Sequence, residues 1–162
     1  MSALREVFVA VGCSGVATCL QTGNVTFDSR VRPATELRQA IQRAARDRLG
    51  SNIDLVFRTV EDVEALIRDA PFNPLEMDRG VKFYVAFLFE EPTRSPSFPF
   101  VSEKEELYAE AMKDDMVYVV SKRKRKGSFG FPNNFVEQEL GVKATTRNIS
   151  TLVKLVELAR QT

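Results

Sequence analysis

The 162-residue sequence contains no histidine and no tryptophan. Without imidazole, Ser-His-Asp and Cys-His catalytic arrangements are excluded, as is every zinc or haem site that needs a histidine ligand. The only cysteines are Cys13 and Cys19, too few for a disulfide framework and wrongly spaced for a CxxC motif. An excess of charge is missing too. Lys and Arg total 23 against 22 Asp and Glu, so no overall field draws nucleic acid or anionic lipid. No charged segment followed by an apolar core opens the chain, so no secretory signal is read. The longest uncharged stretch, Val7 to Phe27, covers 21 residues. Gly12, Gly15 and Gly23 interrupt it, and Ser14, Thr18, Gln21, Thr22 and Asn24 would go unsatisfied in hydrocarbon. A reduced, cytoplasmic location without membrane contact is the expectation.

What is present suits a folded body. Apolar residues make up 44% and charged residues 28%, and a chain of this length buries roughly 70% of its unfolded surface. Leu4, Val7, Phe8 and Val11 recur at helical spacing, which predicts an opening helix ended by Gly12. Val16–Gln21 and Asn24–Phe27 read as two strands around Thr22-Gly23. A second helix with Leu37, Ala40, Ile41 and Ala44 on one face starts near Pro33 and stops at Gly50. Ile53, Leu55 and Phe57 alternate as a strand, and Thr59 caps a third helix that Pro71 closes. Val81–Phe89 is apolar on both faces, which predicts a central, covered strand extending the same sheet. Three prolines make 92–99 a loop. Ser102 with Glu105 reads as a capping box for a helix through Met112. Met116–Val120 is a further strand, Asn134–Leu140 a short helix ended by Gly141, and Asn148 caps a final helix.

The predicted fold class is α+β. The first half, helix-strand-strand-helix-strand, matches a ferredoxin-like βαββαβ unit without its opening strand. We place that half, with its linking helix, at residues 1–75. A C-terminal α/β half follows at 76–162, and the two form one body. Either a second copy of the chain, as a homodimer, fills the vacant strand position or the sheet closes over it, because an open sheet edge exposes backbone donors and acceptors.

Three segments together resemble domain-of-unknown-function family 1697. They are Leu20-Gln21-Thr22-Gly23-Asn24-Val25, Gly130-Phe131-Pro132-Asn133-Asn134-Phe135-Val136-Glu137 and Leu140-Gly141-Val142-Lys143-Ala144-Thr145-Thr146-Arg147-Asn148. In order and spacing the likeness spans nearly the whole chain. It implies two ferredoxin-like halves, a cytoplasmic location and no settled activity. It also implies an opening strand and an Arg-Gly-x-Asn-x-Gly-Gly loop, whereas here Met1 falls near the start of the helix after them. Ile149 stands where members often carry tryptophan.

Candidate site residues form two groups. Lys126, Ser128 and Asn133, before one helix, and Thr146, Arg147 and Asn148, at the start of another, would suit an anion such as phosphate at helix N-termini. The plainer reading makes Ser128, Asn133, Thr146 and Asn148 caps and turn formers; Arg147 is the residue that capping does not explain. The run Lys122-Arg123-Lys124-Arg125-Lys126 is the sharpest charge feature. It reads either as a nucleic-acid contact or as a solvated loop balanced by the acidic stretch 103–115. Gln21, Thr22, Gly23 and Asn24 serve a turn before they serve a ligand. Cys13 and Cys19 do not look like nucleophiles, Ser128 has no base, and the sequons at Asn24 and Asn148 are idle without a secretory route. No catalytic residue, metal site or cofactor is implied. The expected function is therefore a non-catalytic domain binding an anionic small molecule or partner near Lys126, Ser128 and Arg147, with weak nucleic-acid binding through 122–126 as the alternative.

Overall fold

A computed structural model describes residues 2–19, 23–30, 33–72 and 80–161. Leu20, Gln21 and Thr22 and the 75/76 boundary fall outside those residues. The chain divides into two compact units, residues 1–64 with 153–162, and residues 65–152.

The first unit is built on α1 (Ser2–Ala10), β1 (Ser14–Cys19), β2 (Asn24–Asp28) and α2 (Ala34–Leu49). The apolar stripe of α1 buries Val7 and Phe8 against Leu37, Ile41 and Ala45 of α2 and Val16 of β1. β1 and β2 pair antiparallel, with Ala17 opposite Thr26 and Cys19 opposite Asn24. Gly23 enters β2 at φ +75°, a value that suits glycine in a tight turn. Gly50 closes α2 in the left-handed region, its N–H bonded to the Arg46 carbonyl.

One expected strand is corrected here. Residues 53–57 lie outside any ladder. Ile53, Leu55 and Phe57 pack on the core as their alternation requires, but α2 supplies their hydrogen bonds. The Gln42 amide donates to the Ile53 carbonyl at 3.2 Å, and the Arg38 guanidinium donates to the Leu55 carbonyl. Side chains one helical turn apart thus meet carbonyls two residues apart, where a neighbouring strand would have donated. The ferredoxin-like first half, which needs this segment in the sheet, is not what the described residues form; the α+β class stands. Next, α3 (Val60–Arg68) opens on a reciprocal capping box. The Thr59 hydroxyl accepts from the Asp62 N–H at 3.1 Å, and the Asp62 carboxylate accepts from the Thr59 N–H at 3.3 Å.

The second unit is an antiparallel five-stranded sheet in the order β4-β5-β6-β3-β7. Its strands are β3 (Val81–Leu88), β4 (Phe100–Ser102), β5 (Leu107–Lys113), β6 (Met116–Lys122) and β7 (Ala144–Asn148). As the two-faced apolar pattern predicts, β3 lies inside the sheet, between β6 and β7. One face, with Tyr84, Ala86, Leu88, Val117 and Val119, is covered by Val136 and Leu140 of α4 (Asn133–Leu140). On the other, Phe72 stacks on Phe83 at 4.4 Å and meets Tyr118 edge-on at 5.7 Å. The β1–β2 ribbon is a separate sheet, so the expectation that β3 extends it is also corrected.

The helix expected from Ser102 to Met112 is a β-hairpin, with β4 and β5 joined by a turn at 103–106. Its residues favour helix, but Leu107 and Ala109 also alternate with the polar Tyr108 and Glu110. Pairing along β6 decides the outcome, because it buries Leu107 and Ala109 in the core. The segment 144–148, expected to lead into a helix, is the strand β7 against β3, followed directly by α5 (Ile149–Gln161).

The proline-rich loop grips the end of α4. The Thr93 and Arg94 N–H groups both donate to the Leu140 carbonyl, at 3.0 and 3.1 Å, and the Arg94 guanidinium donates to the Gln138 carbonyl at 2.6 Å. Gly141 sits there at φ +71°, where an added Cβ would stand 2.1 Å from the Thr93 hydroxyl.

Candidate anion site at two turns of the five-stranded sheet

Past Ser121, whose buried hydroxyl donates to the Gly130 carbonyl at 2.9 Å, β6 runs out into the basic segment. Arg123 bridges to Phe129, the Gly127 N–H donates to the Lys124 carbonyl, and the Lys124 N–H donates to the Ser128 carbonyl, the last two at 2.8 Å. Gly127 turns the chain at φ +85°. The result is a tight loop with Arg125 and Lys126 at its exposed tip.

The 103–106 turn abuts this loop. The Lys122 N–H donates to the Glu106 carbonyl at 2.9 Å. Gly130 approaches so closely that a Cβ would lie 2.5 Å from the Glu105 carbonyl oxygen. Between the turns lies a cleft of about 420 Å3 lined by Lys104, Glu106, Lys124, Arg125, Lys126 and Ser128.

Four of those six side chains are cationic, and two of the acids on the facing turn, Glu105 and Glu106, are engaged. The Lys124 ammonium donates to the Glu105 carboxylate, and that hydrogen bond holds the Glu105 carboxyl below the usual carboxylate range. Glu106 accepts from the Tyr108 hydroxyl at 3.0 Å, which pushes the phenol above its ordinary value. Arg125, Lys126 and Ser128 have no side-chain partner among the described residues. Such a cleft can pair with a phosphate or carboxylate and offer it a hydroxyl. It holds no pair of nucleophile and base.

The remaining members of the expected set do not line the cleft. Thr146, 4% exposed, donates from its hydroxyl to the Asn133 side-chain carbonyl at 2.8 Å. Arg147 donates to the Thr145 hydroxyl at 2.8 Å and the Thr146 carbonyl at 2.9 Å, and burial lowers the pKa of its guanidinium. Asn148 caps α5, accepting the Ser150 N–H at 2.9 Å, and its side chain also bonds Tyr84. In the basic run, Lys122 lies over the Tyr108 ring at 4.3 Å, while Arg123 lies over Phe129 at 5.5 Å. Sequence reasoning missed Lys104 and Glu106 because 103–106 read as the first turn of a helix. Cys13 is buried, and desolvation raises its thiol above the ordinary value. Among the described residues, no group of three His, Cys, Asp or Glu side chains is placed to hold a metal ion, and no helix is long and apolar enough to cross a membrane.

Comparison with known families adds one match. A model describing proteins of unknown function, DUF1697, matches residues 1–118. The hairpin motif at 20–25 lies within that span. The motifs at 130–137 and 140–148 lie beyond it, so the likeness is narrower than the near-complete coverage expected, and the 124–128 turn also lies outside. No curated protein and no solved structure matches the chain. With well over half of its 162 residues matched, the chain belongs to the DUF1697 family of proteins of unknown function.

Proposed function

We propose that the cleft between the 103–106 and 124–128 turns binds a small anionic ligand, a phosphate or carboxylate compound, in a non-catalytic cytoplasmic domain. One observation carries the reading. Cations from two separate turns converge while Glu105 and Glu106 are occupied by Lys124 and Tyr108, and Arg125, Lys126 and Ser128 have no side-chain partner among the described residues. A purely solvated loop would need no second turn bringing Lys104 against it. Arg147 belongs to β7 and supports the reading only by position in the same unit.

The test is a thermal-shift and calorimetric titration with pyrophosphate and citrate. A ligand held by the native state alone and present at about a hundredfold over its Kd adds about 2.7 kcal/mol of apparent stability. That shift should vanish in the double variant Arg125→Ala/Lys126→Ala and persist in Arg147→Lys. A full shift in the double variant would remove the cleft from consideration.

A further inference from the structure

We propose that the cleft is one end of a surface that takes single-stranded nucleic acid, with phosphates at Arg125 and Lys126 and a base stacked on Phe131; this rests on the anion reading above. Phe131 is 61% exposed, yet its ring is held edge-on to Tyr84, with centroids 5.8 Å apart. A lone exposed aromatic needs no explanation. This one continues into fixed cations. Two residues before Tyr84, on the same face of β3, Lys82 places its ammonium 4.5 Å from the Phe129 ring centre, and Arg123 lies 5.5 Å from that centre. Arg123 leads directly into the turn that carries Arg125 and Lys126. The buried Tyr84 thus holds the exposed Phe131 on the face of β3 that also carries Lys82, Lys82 and Arg123 both lie over Phe129, and Arg123 leads along the chain into the turn that lines the cleft.

That alternation matches a strand whose phosphates want cations and whose bases want a flat apolar partner. A duplex would keep its bases stacked on each other and leave Phe131 unused. A small anion would use the cleft and nothing else. Of the five consecutive cations at 122–126, Lys124 is ion-paired with Glu105; Lys82, Arg123, Arg125 and Lys126 are the groups offered to phosphate. Four contacts give a log affinity against log salt slope of about −3 for a single strand.

The test is fluorescence anisotropy on the full chain, with oligothymidylate, an abasic strand of the same length, and the matching duplex, each with and without competing pyrophosphate. Oligothymidylate should bind about tenfold tighter than the abasic strand. Phe131→Leu, which keeps an apolar group at an exposed position, should erase that preference while leaving pyrophosphate binding unchanged. Equal affinity for both strands, a preference that survives in Phe131→Leu, or tighter binding of the duplex would each overturn the inference while pyrophosphate binding leaves the anion reading intact. If neither strand nor pyrophosphate binds, both fall together.

Discussion

Two polar segments of the second unit look alike in composition and behave differently in the fold. One, Arg125 to Gly130, sets Ser128 beside two basic residues and the other, Thr145 to Ser150, sets several small polar residues beside Arg147; each lies close to a helix start. In the second segment the polar groups are spent internally: Thr146 on Asn133, Arg147 on Thr145 and the Thr146 carbonyl, Asn148 on Ser150 and Tyr84. In the first, the backbone is bonded and the tip side chains are not. A residue type that binds anions is available for one only where the fold has not already used it. β7 uses Thr146 and Arg147 because it is a strand against β3; the 124–128 loop lies beside the 103–106 turn, which leaves its tip side chains unpaired among the described residues.

The largest expected effects separate the scaffolds from the tips. Gly141→Ala forces a left-handed alanine and drives its Cβ onto Thr93, which should cost about 3 kcal/mol by urea denaturation. Gly130→Ala meets the Glu105 carbonyl and should cost about 2 kcal/mol, with a weaker anion site because the two turns are pushed apart. Smaller is Thr146→Val, which leaves the Asn133 carbonyl unpaired; a loss of about 1–2 kcal/mol is expected, with pyrophosphate affinity unchanged. Were Thr146→Val to abolish binding, the two segments would be acting as one site. Lys126→Ala reverses that pattern, with stability within about 0.5 kcal/mol of the parent and pyrophosphate affinity reduced.

The smallest effect is on pH. Glu105 has a folded-state pKa below its unfolded one, chiefly because Lys124 donates to it. Its contribution is therefore present above the ordinary carboxylate range and is lost as pH falls through the lowered folded value. Because the pair is exposed, the change should be slight and fade with salt. Comparing acid unfolding of the parent with Lys124→Met at low and high ionic strength checks the sign: the variant should lose less stability across that range.

Much of the scaffold was legible from one chain. The stripe on α1, the stop of α2 at Gly50, the Thr59 cap and the interior place of β3 all follow from local rules that tertiary contacts then respect. Legibility ended where two local signals competed. Ser102 and Glu105 looked like a capping box, yet the same residues fit a hairpin once β6 was available to pair. Ile53, Leu55 and Phe57 alternated like a strand, yet Arg38 and Gln42 took the carbonyls. Two of the cleft's six lining residues came from that misread hairpin, so Lys124, Arg125, Lys126 and Ser128 could be named in advance and Lys104 and Glu106 could not.

The most direct measurement is a pyrophosphate titration followed through backbone amide chemical shifts. The account predicts saturable shifts at residues 104–106 and 124–128, with 145–150 unmoved. Shifts centred on 145–150, or none across the chain at millimolar ligand, would contradict it.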